Sequence, residues 1–184
     1  MNSILDFDAR LSSQMRVAEK PGALRAIAVF FAHSGDSWFW AIALFALWIS
    51  GDSFWKQWAI LQVAGISLLI ALVLVIKFSI RRKRPEGEWG QIYRYTDPHS
   101  FPSGHAARAF LIATIATGLG PGWLAIALWI WAPLVALARV AMGVHYLSDI
   151  LAGALFGILI ALIGLQIYLP LFNWAFKLLG FSLW

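Results

Sequence analysis

Residues 58–80 read WAILQVAGISLLIALVLVIKFSI and are followed directly by RRKR at 81–84. The run carries one charge, Lys77, close to its end. A helix that crosses a bilayer needs about 20 mostly apolar residues, and a run of this length and purity predicts one. Four more stretches bounded by charge, Gly or Pro share its character, at 26–50, 104–119, 122–138 and 146–169. Of the 184 residues 61% are apolar and only 12% charged, where a soluble domain has about 45–50% and about 25%. The excess apolar surface requires a second solvent. The expected fold is therefore all-α, a multi-pass transmembrane helical bundle of about five spans. Intrinsic disorder is excluded by the same composition, and a disulfide scaffold by the absence of cysteine.

The flanks read differently. Ile4, Leu5, Phe7, Leu11, Met15 and Val17 are spaced loosely along one helical face, with Asp6, Asp8, Arg10, Arg16 and Glu19 mostly elsewhere. Residues 1–25 are accordingly expected to form an interfacial helix, with no cleavable signal peptide. The tail after Pro170, LFNWAFKLLGFSLW, is rich in Trp and Phe and too short to cross, so it is expected along the membrane surface. His33-Ser34-Gly35-Asp36 interrupts the first run; Asp36 or Ser37 suits the N-cap of a helix beginning near Trp38, and capping is the expected role of His33 and Asp36. The whole chain, 1–184, reads as a single membrane-embedded domain. Its net charge of +5 lies between apolar runs and not on one continuous face, which favours anionic lipid or a phosphorylated substrate over nucleic acid.

Polar chemistry is concentrated at 81–103, which holds Arg81, Arg82, Lys83, Arg84, Glu86, Glu88, Arg94, Asp97 and His99. In an up-and-down bundle three clusters reach the same membrane face: Lys77 with Arg84-Pro85, Pro102-Ser103-Gly104-His105, and Arg139 with His145 and Asp149. Each has an ordinary explanation taken singly. The arginines suit a headgroup anchor, Lys77 could snorkel, Ser103 suits a helix N-cap, a His–Asp pair at i,i+4 is often a surface contact, and Arg108 suits a paired structural cation. His99 reads as a solvated loop histidine.

Convergence changes that reading. Lys77, Arg84 and Arg139 can neutralise the oxygens of a phosphoryl group, and the N–H groups opening a helix at Ser103 and Gly104 favour an anion. His145 is placed to attack phosphorus, with Asp149 one turn later accepting the other ring N–H. His105 is then the donor to the departing oxygen. A zinc site competes for His105, His145 and Asp149, but the nearby cations repel a metal ion. No cofactor is expected.

The order Lys77-x6-Arg84-Pro85, Pro102-Ser103-Gly104-His105, Arg139-x5-His145-x3-Asp149 resembles the three-part signature of the type 2 phosphatidic acid phosphatase superfamily, which includes undecaprenyl-diphosphate phosphatases and, more distantly, vanadium haloperoxidases. The likeness covers the catalytic motifs at 77–149. It implies a metal-independent membrane phosphatase acting on a lipid phosphate or polyprenyl diphosphate, with Lys77, Arg84, Ser103, Gly104 and Arg139 on the phosphate, His145 as nucleophile, Asp149 as its orienting acid and His105 as general acid. Ala138 departs from the Ser that often precedes the arginine, and the family commonly has six spans. A soluble haloperoxidase is disfavoured by the membrane runs. A phosphotransferase using the same site and a noncatalytic carrier of phosphorylated lipid remain alternatives, as does any choice of lipid or oligomeric state. The positive-inside count places Arg10, Arg16, Lys20, Arg25, Arg81 to Arg84, Arg94 and Arg139 in the cytoplasm. The resemblance favours the extracytoplasmic face of the cell membrane, and that face is the expectation, because substrate accounts for several of those cations.

Overall fold

The computed structural model describes residues 2–18, 20–87, 89 and 97–180. Glu19, Glu88 and Arg94 lie outside them. The described residues form seven helices and no strand: α1 (Asn2–Gln14), α2 (Ala23–Ser34), α3 (Ser37–Ser50), α4 (Ser53–Ile80), α5 (Gly104–Leu119), α6 (Gly122–Ala141) and α7 (Leu147–Leu179).

Composition dictates which of these face lipid. On α4 the residues Gln62, Ile66, Leu69, Val73 and Lys77 are buried, while Val63, Leu68, Ile70, Leu74, Val75 and Phe78 are exposed. The inward stripe recurs every three or four residues, as a helix in a bundle requires, and it ends on Lys77. An outward face of large apolar side chains suits hydrocarbon, not water. Among the described residues three helices are long and apolar enough to cross a membrane: Ser53–Ile80, Gly122–Ala141 and Leu147–Leu178. The expected span at 26–50 is α2 and α3, an apolar pair bent by 55° at the Gly35–Asp36 break. Counting the pair as one gives up to four spans where about five are expected.

The difference is α5. It has 16 residues, which at 1.5 Å per residue is about 24 Å. It packs against α4, α6 and α7. From Ala106 to Ala116 every residue but Phe110 is buried. α5 is thus the axis of the bundle, buried on nearly every side because protein surrounds it. At the C-terminus the expected separate surface helix is absent: α7 runs through Pro170 to Leu179. In apolar surroundings the backbone gains by remaining hydrogen-bonded, so the one bond lost at a proline does not end the helix. Pro133 sits inside α6 in the same way.

α1 docks on the start of α7 with its polar side inward. Asp8 and Ser12 are buried, whereas Ile4, Leu5 and Phe7 are exposed. Ser12 Oγ accepts the Leu147 N–H at 2.8 Å and Asp8 Oδ1 accepts the Ser148 N–H at 3.1 Å. Two side chains of α1 therefore cap the first turn of α7, where backbone donors have no partner within the helix.

Close helix approach comes from small residues, the usual means where lipid removes the hydrophobic drive between helices. α7 places Gly153 and Gly157 against α5. A Cβ at Gly157 would lie 2.0 Å from the Ala107 carbonyl oxygen, and one at Gly153 would lie 2.5 Å from that of Ser103. Gly157→Ala gains helix propensity of about 1 kcal/mol, but overpacking against rigid backbone costs about 1–3 kcal/mol. The clash wins. The variant should unfold at a lower temperature in detergent than the parent, followed by thermal aggregation; an unchanged midpoint would show that α5 and α7 do not meet here.

Candidate active site

The chain leaves α4 at Arg81, whose φ of 54° places it in the left-handed region, and turns across the bundle end. Residues on either side of the loop pair: Lys83 bridges His99, and Ser100 N–H donates to Arg82 O at 2.8 Å. This returns 97–103 to the end of α4. Lys77 is 3% exposed and Arg84 is 4% exposed, so neither snorkels. Both bind one acid, Asp97. Arg84 Nη2 donates to Asp97 Oδ2 at 2.8 Å, and Lys77 Nζ donates to the same oxygen and, at 3.1 Å, to the His99 carbonyl. His99 is half-buried with its ring edge-on to Phe78 at 5.4 Å between centroids, and not the solvated side chain expected.

His145 lies in the turn between α6 and α7 and is 2% exposed. The turn is shaped by the Arg139 carbonyl, which accepts from Val144 N–H at 3.1 Å and His145 N–H at 3.3 Å. His145 Nε2 meets Arg84 Nη1 at 3.1 Å, and Nδ1 meets Asp149 Oδ2 at 3.4 Å. A guanidinium has only donors, so Nε2 carries the lone pair and Nδ1 carries the proton toward Asp149. Burial, with Arg84, Arg139 and Lys77 nearby, pushes the His145 imidazole well below its ordinary value. The ring is neutral at pH 7, and its Nε2 lone pair accepts from Arg84.

Asp149 is itself anchored. Its Oδ2 accepts the Tyr146 N–H at 2.9 Å, and its Oδ1 accepts from Arg82 Nη1 at 2.8 Å. Arg82 stacks on the Tyr146 ring at 4.0 Å and reaches Asp8 at 2.7 Å through Nη2. Burial opposes ionisation of Asp8, but hydrogen bonds from Ser148 and Arg82 outweigh it and hold its carboxyl below the usual carboxylate range. Arg82 and Asp8 thus extend the His145–Asp149 pair to α1. Nothing local in the sequence marks either of them.

Ser103 opens α5, its Oγ accepting from Ala106 N–H at 3.5 Å. Its own N–H donates to the Asp149 carbonyl at 3.0 Å. That bond ties α5 to α7 and takes up the first of the two amides expected to face an anion; Gly104 lines the cleft. His105 Nε2 lies 2.7 Å from Asp36 Oδ1, and Asp36 Oδ2 lies 3.0 Å from His33 Nδ1. Asp36 occupies the N-cap position of α3 but makes no side-chain capping bond; its carboxylate goes to the two histidines instead. Arg108 Nε donates to the Gly35 carbonyl at 2.9 Å and Nη1 to Ser37 Oγ at 2.5 Å, fastening the α2–α3 break to α5. Arg139 is fully buried on the last turn of α6, and its charge acts on Lys77, His105 and His145.

Two clefts meet this cluster. One, of about 610 Å³, runs from Lys77, Asp97, Gly104 and His105 down past Val73, Leu69 and Trp38. The other, of about 730 Å³, is lined by Arg84, Lys83, His99 and Tyr146. Asp97 bridges Lys77 of the first to Arg84 of the second. No group of three His, Cys, Asp or Glu side chains among the described residues is placed to hold a metal ion.

Helices and charge cluster together define an integral membrane protein with a cationic centre at one end of its bundle. The chain belongs to the PAP2 superfamily, whose family model matches residues 56–172. It is 32% identical over 113 residues to the lipid A 1-phosphatase of Porphyromonas gingivalis, a match covering 60% of this chain and 24% of that protein. The chain therefore spans about a quarter of the length of that relative. It is also 32% identical over 149 residues to the decaprenylphosphoryl-5-phosphoribose phosphatase of Mycobacterium tuberculosis, covering 78% and 80% of the two chains. The fold matches the crystal structure of a PAP2 type phosphatidylglycerolphosphate phosphatase from Bacillus subtilis with a TM-score of 0.73 and 24% identity, over 89% of this chain and 85% of that one.

An acid between Lys77 and Arg84 offers them the same oxygen acceptors that a phosphoryl group offers. Asp97→Asn removes the competing charge. It should lower the Ki of orthovanadate and the KM for substrate by about tenfold, the equivalent of roughly 1.4 kcal/mol. Without ligand its thermal midpoint should fall, because two buried cations lose their anion, and saturating vanadate should restore it. Weaker vanadate inhibition in the variant would contradict this competition.

Proposed function

We propose that the protein is a metal-independent lipid phosphate phosphatase that removes a terminal phosphate from a phospholipid monoester or a polyprenyl diphosphate through a phosphohistidine intermediate. The observation that carries this reading is the neutral His145 ring, its proton turned to Asp149 and its lone pair turned to the arginine of a three-cation cluster.

In this mechanism the phosphate displaces the Asp97 carboxylate from Lys77 and Arg84, with Arg139, the Gly104 amide and the hydroxyl of Ser103, whose own amide is taken by Asp149, completing the cradle. His145 Nε2 attacks phosphorus. The P–N bond forms as the bond to the lipid oxygen breaks, and that oxygen takes a proton from His105. Asp149 supports the positive charge that grows on His145. Water then attacks the phosphohistidine, His105 takes a proton from it, the P–N bond breaks and phosphate leaves. The cations stabilise charge on the equatorial oxygens throughout, the role a metal ion plays elsewhere.

The cleft lined by Leu69, Ile70, Val73, Leu74 and Trp38 supports a lipid substrate whose chain lies against α4 and α3 while its phosphate reaches Lys77. Relatives that act on lipid A and on a decaprenyl phosphosugar support the same class. A carrier would need the cations but not a histidine held in one tautomer. We place the active site at the extracytoplasmic face, with 77–149 as the catalytic part of one membrane domain.

Purified protein in detergent should release inorganic phosphate from phosphatidic acid or undecaprenyl diphosphate with excess EDTA present, and orthovanadate should inhibit it as a mimic of the transition state. His145→Ala should reduce kcat at least a thousandfold, about 4 kcal/mol. Activity lost in chelator and restored by a divalent ion would overturn the proposal.

A further inference from the structure

His105 and His145 differ in how far their partners lie along the chain. Asp149 is four residues from His145, whereas Asp36 comes to His105 from 69 positions away, out of the break between α2 and α3. The contact at 2.7 Å is shorter than the 3.4 Å of the other pair. Asp36 uses its second oxygen on His33 Nδ1, whose side chain is 45% exposed while those of Asp36 and His105 are each 18% exposed. The three form a row from the cleft to the surface.

We infer that Asp36 is the positioning carboxylate of His105, that His33 holds Asp36 in place, and that the enzyme therefore works with two carboxylate–histidine pairs, one for the nucleophile and one for the acid. The inference rests on the reading of His105 as general acid and adds to it the source of its orientation and charge. A carboxylate on Nε2 leaves Nδ1 as the ring nitrogen that serves the leaving oxygen. It also favours the imidazolium, the form that can donate.

That support is needed because burial of the ring opposes a charge there and cations add to it: Arg139 on α6, Arg108 on α5 and, across the same cleft, Lys77 on α4. Each disfavours a second positive charge. Asp36 and the more distant Asp97, itself committed to Lys77 and Arg84, are the acids in this cleft. The Asp36 backbone is held independently of its side chain: Arg108 clamps Gly35 and Ser37 on either side of it, and the Asp36 N–H donates to the His33 carbonyl at 3.0 Å. An amide at position 36 therefore keeps the loop and removes the charge.

The test compares two substrates with leaving groups of different need: dioleoyl phosphatidic acid in mixed micelles, whose alkoxide requires a proton, and p-nitrophenyl phosphate, whose phenolate does not. General acids contribute about 10²–10⁴ in rate. Asp36→Asn should lower kcat on phosphatidic acid by roughly 10–100-fold, within that range, and change kcat on p-nitrophenyl phosphate by less than about threefold. The acid form of His105 is lost as pH rises, so without Asp36 the alkaline limb of the kcat profile should move to lower pH by about one unit. Asp36→Glu should recover part of both. His33→Ala, at an exposed position, should move both quantities the same way by a smaller amount. Equal losses on the two substrates, or an unmoved alkaline limb, would overturn the inference. His105→Ala separates the two levels: if it shows the selective loss on phosphatidic acid and Asp36→Asn does not, the positioning role alone fails. If His105→Ala shows no selectivity either, the general-acid reading fails with it.

Discussion

Lys77 and Arg84 are buried side chains, at 3% and 4% exposure, in a bundle whose outer surface is hydrocarbon-like. A buried cation is tolerated only against an anion with well-made hydrogen bonds, and this constraint organises the rest of the site. It brings Asp97 to the cations. It suits the cluster to a phosphoryl group, since phosphate offers the same cations more charge and more acceptor oxygens than a carboxylate does. With burial it also explains why His145 is neutral: a cation there would be desolvated and would be one more in a cluster that already holds Arg84, Arg139 and Lys77.

Position depends on helix ends. Lys77, Arg84, Asp97, Ser103, Gly104, His105, Arg139, His145 and Asp149 lie in the last turn of α4 or α6, the first turn of α5 or α7, or the loops beside them, where backbone groups without helical partners become anchors. Ser103 N–H on the Asp149 carbonyl and the Arg139 carbonyl under His145 are of this kind. α5 carries the chain from the site end of the bundle back to the opposite end, where α6 begins at Gly122, and the glycines of α7 let it approach. The N-terminal helix belongs to the same assembly, since Asp8 and Ser12 cap α7 and Asp8 holds Arg82 against Asp149.

The architecture and the three motifs were legible because both are local patterns. Apolar run length reports a membrane helix, and fixed spacings such as Arg139-x5-His145-x3-Asp149 report residues that one turn and one helix bring together. α5 accounts for the remaining expected run and takes the chain across the bundle, although it is short and wrapped in protein; composition cannot distinguish burial in protein from burial in lipid. One helical feature misled. Pro170 suggested a helix end, and lipid surroundings made the break unnecessary. The partners Asp36 and Arg82 were hidden for another reason. They reach their targets across 69 and 67 positions, and no periodicity encodes contacts made by packing. His33-Ser34-Gly35-Asp36 signalled an interruption, and capping was the nearest local explanation for an acid whose partner lay on another helix.

The central claim is that His145 Nε2 becomes covalently bonded to phosphorus. Acid-labile, base-stable label trapped during turnover of a ³²P-phosphorylated lipid, followed by peptide mapping, tests it directly; base quench preserves a phosphohistidine. The account predicts label on the peptide holding His145 and none in His145→Ala. Label on His105, or turnover in His145→Ala at the parent rate, would contradict it.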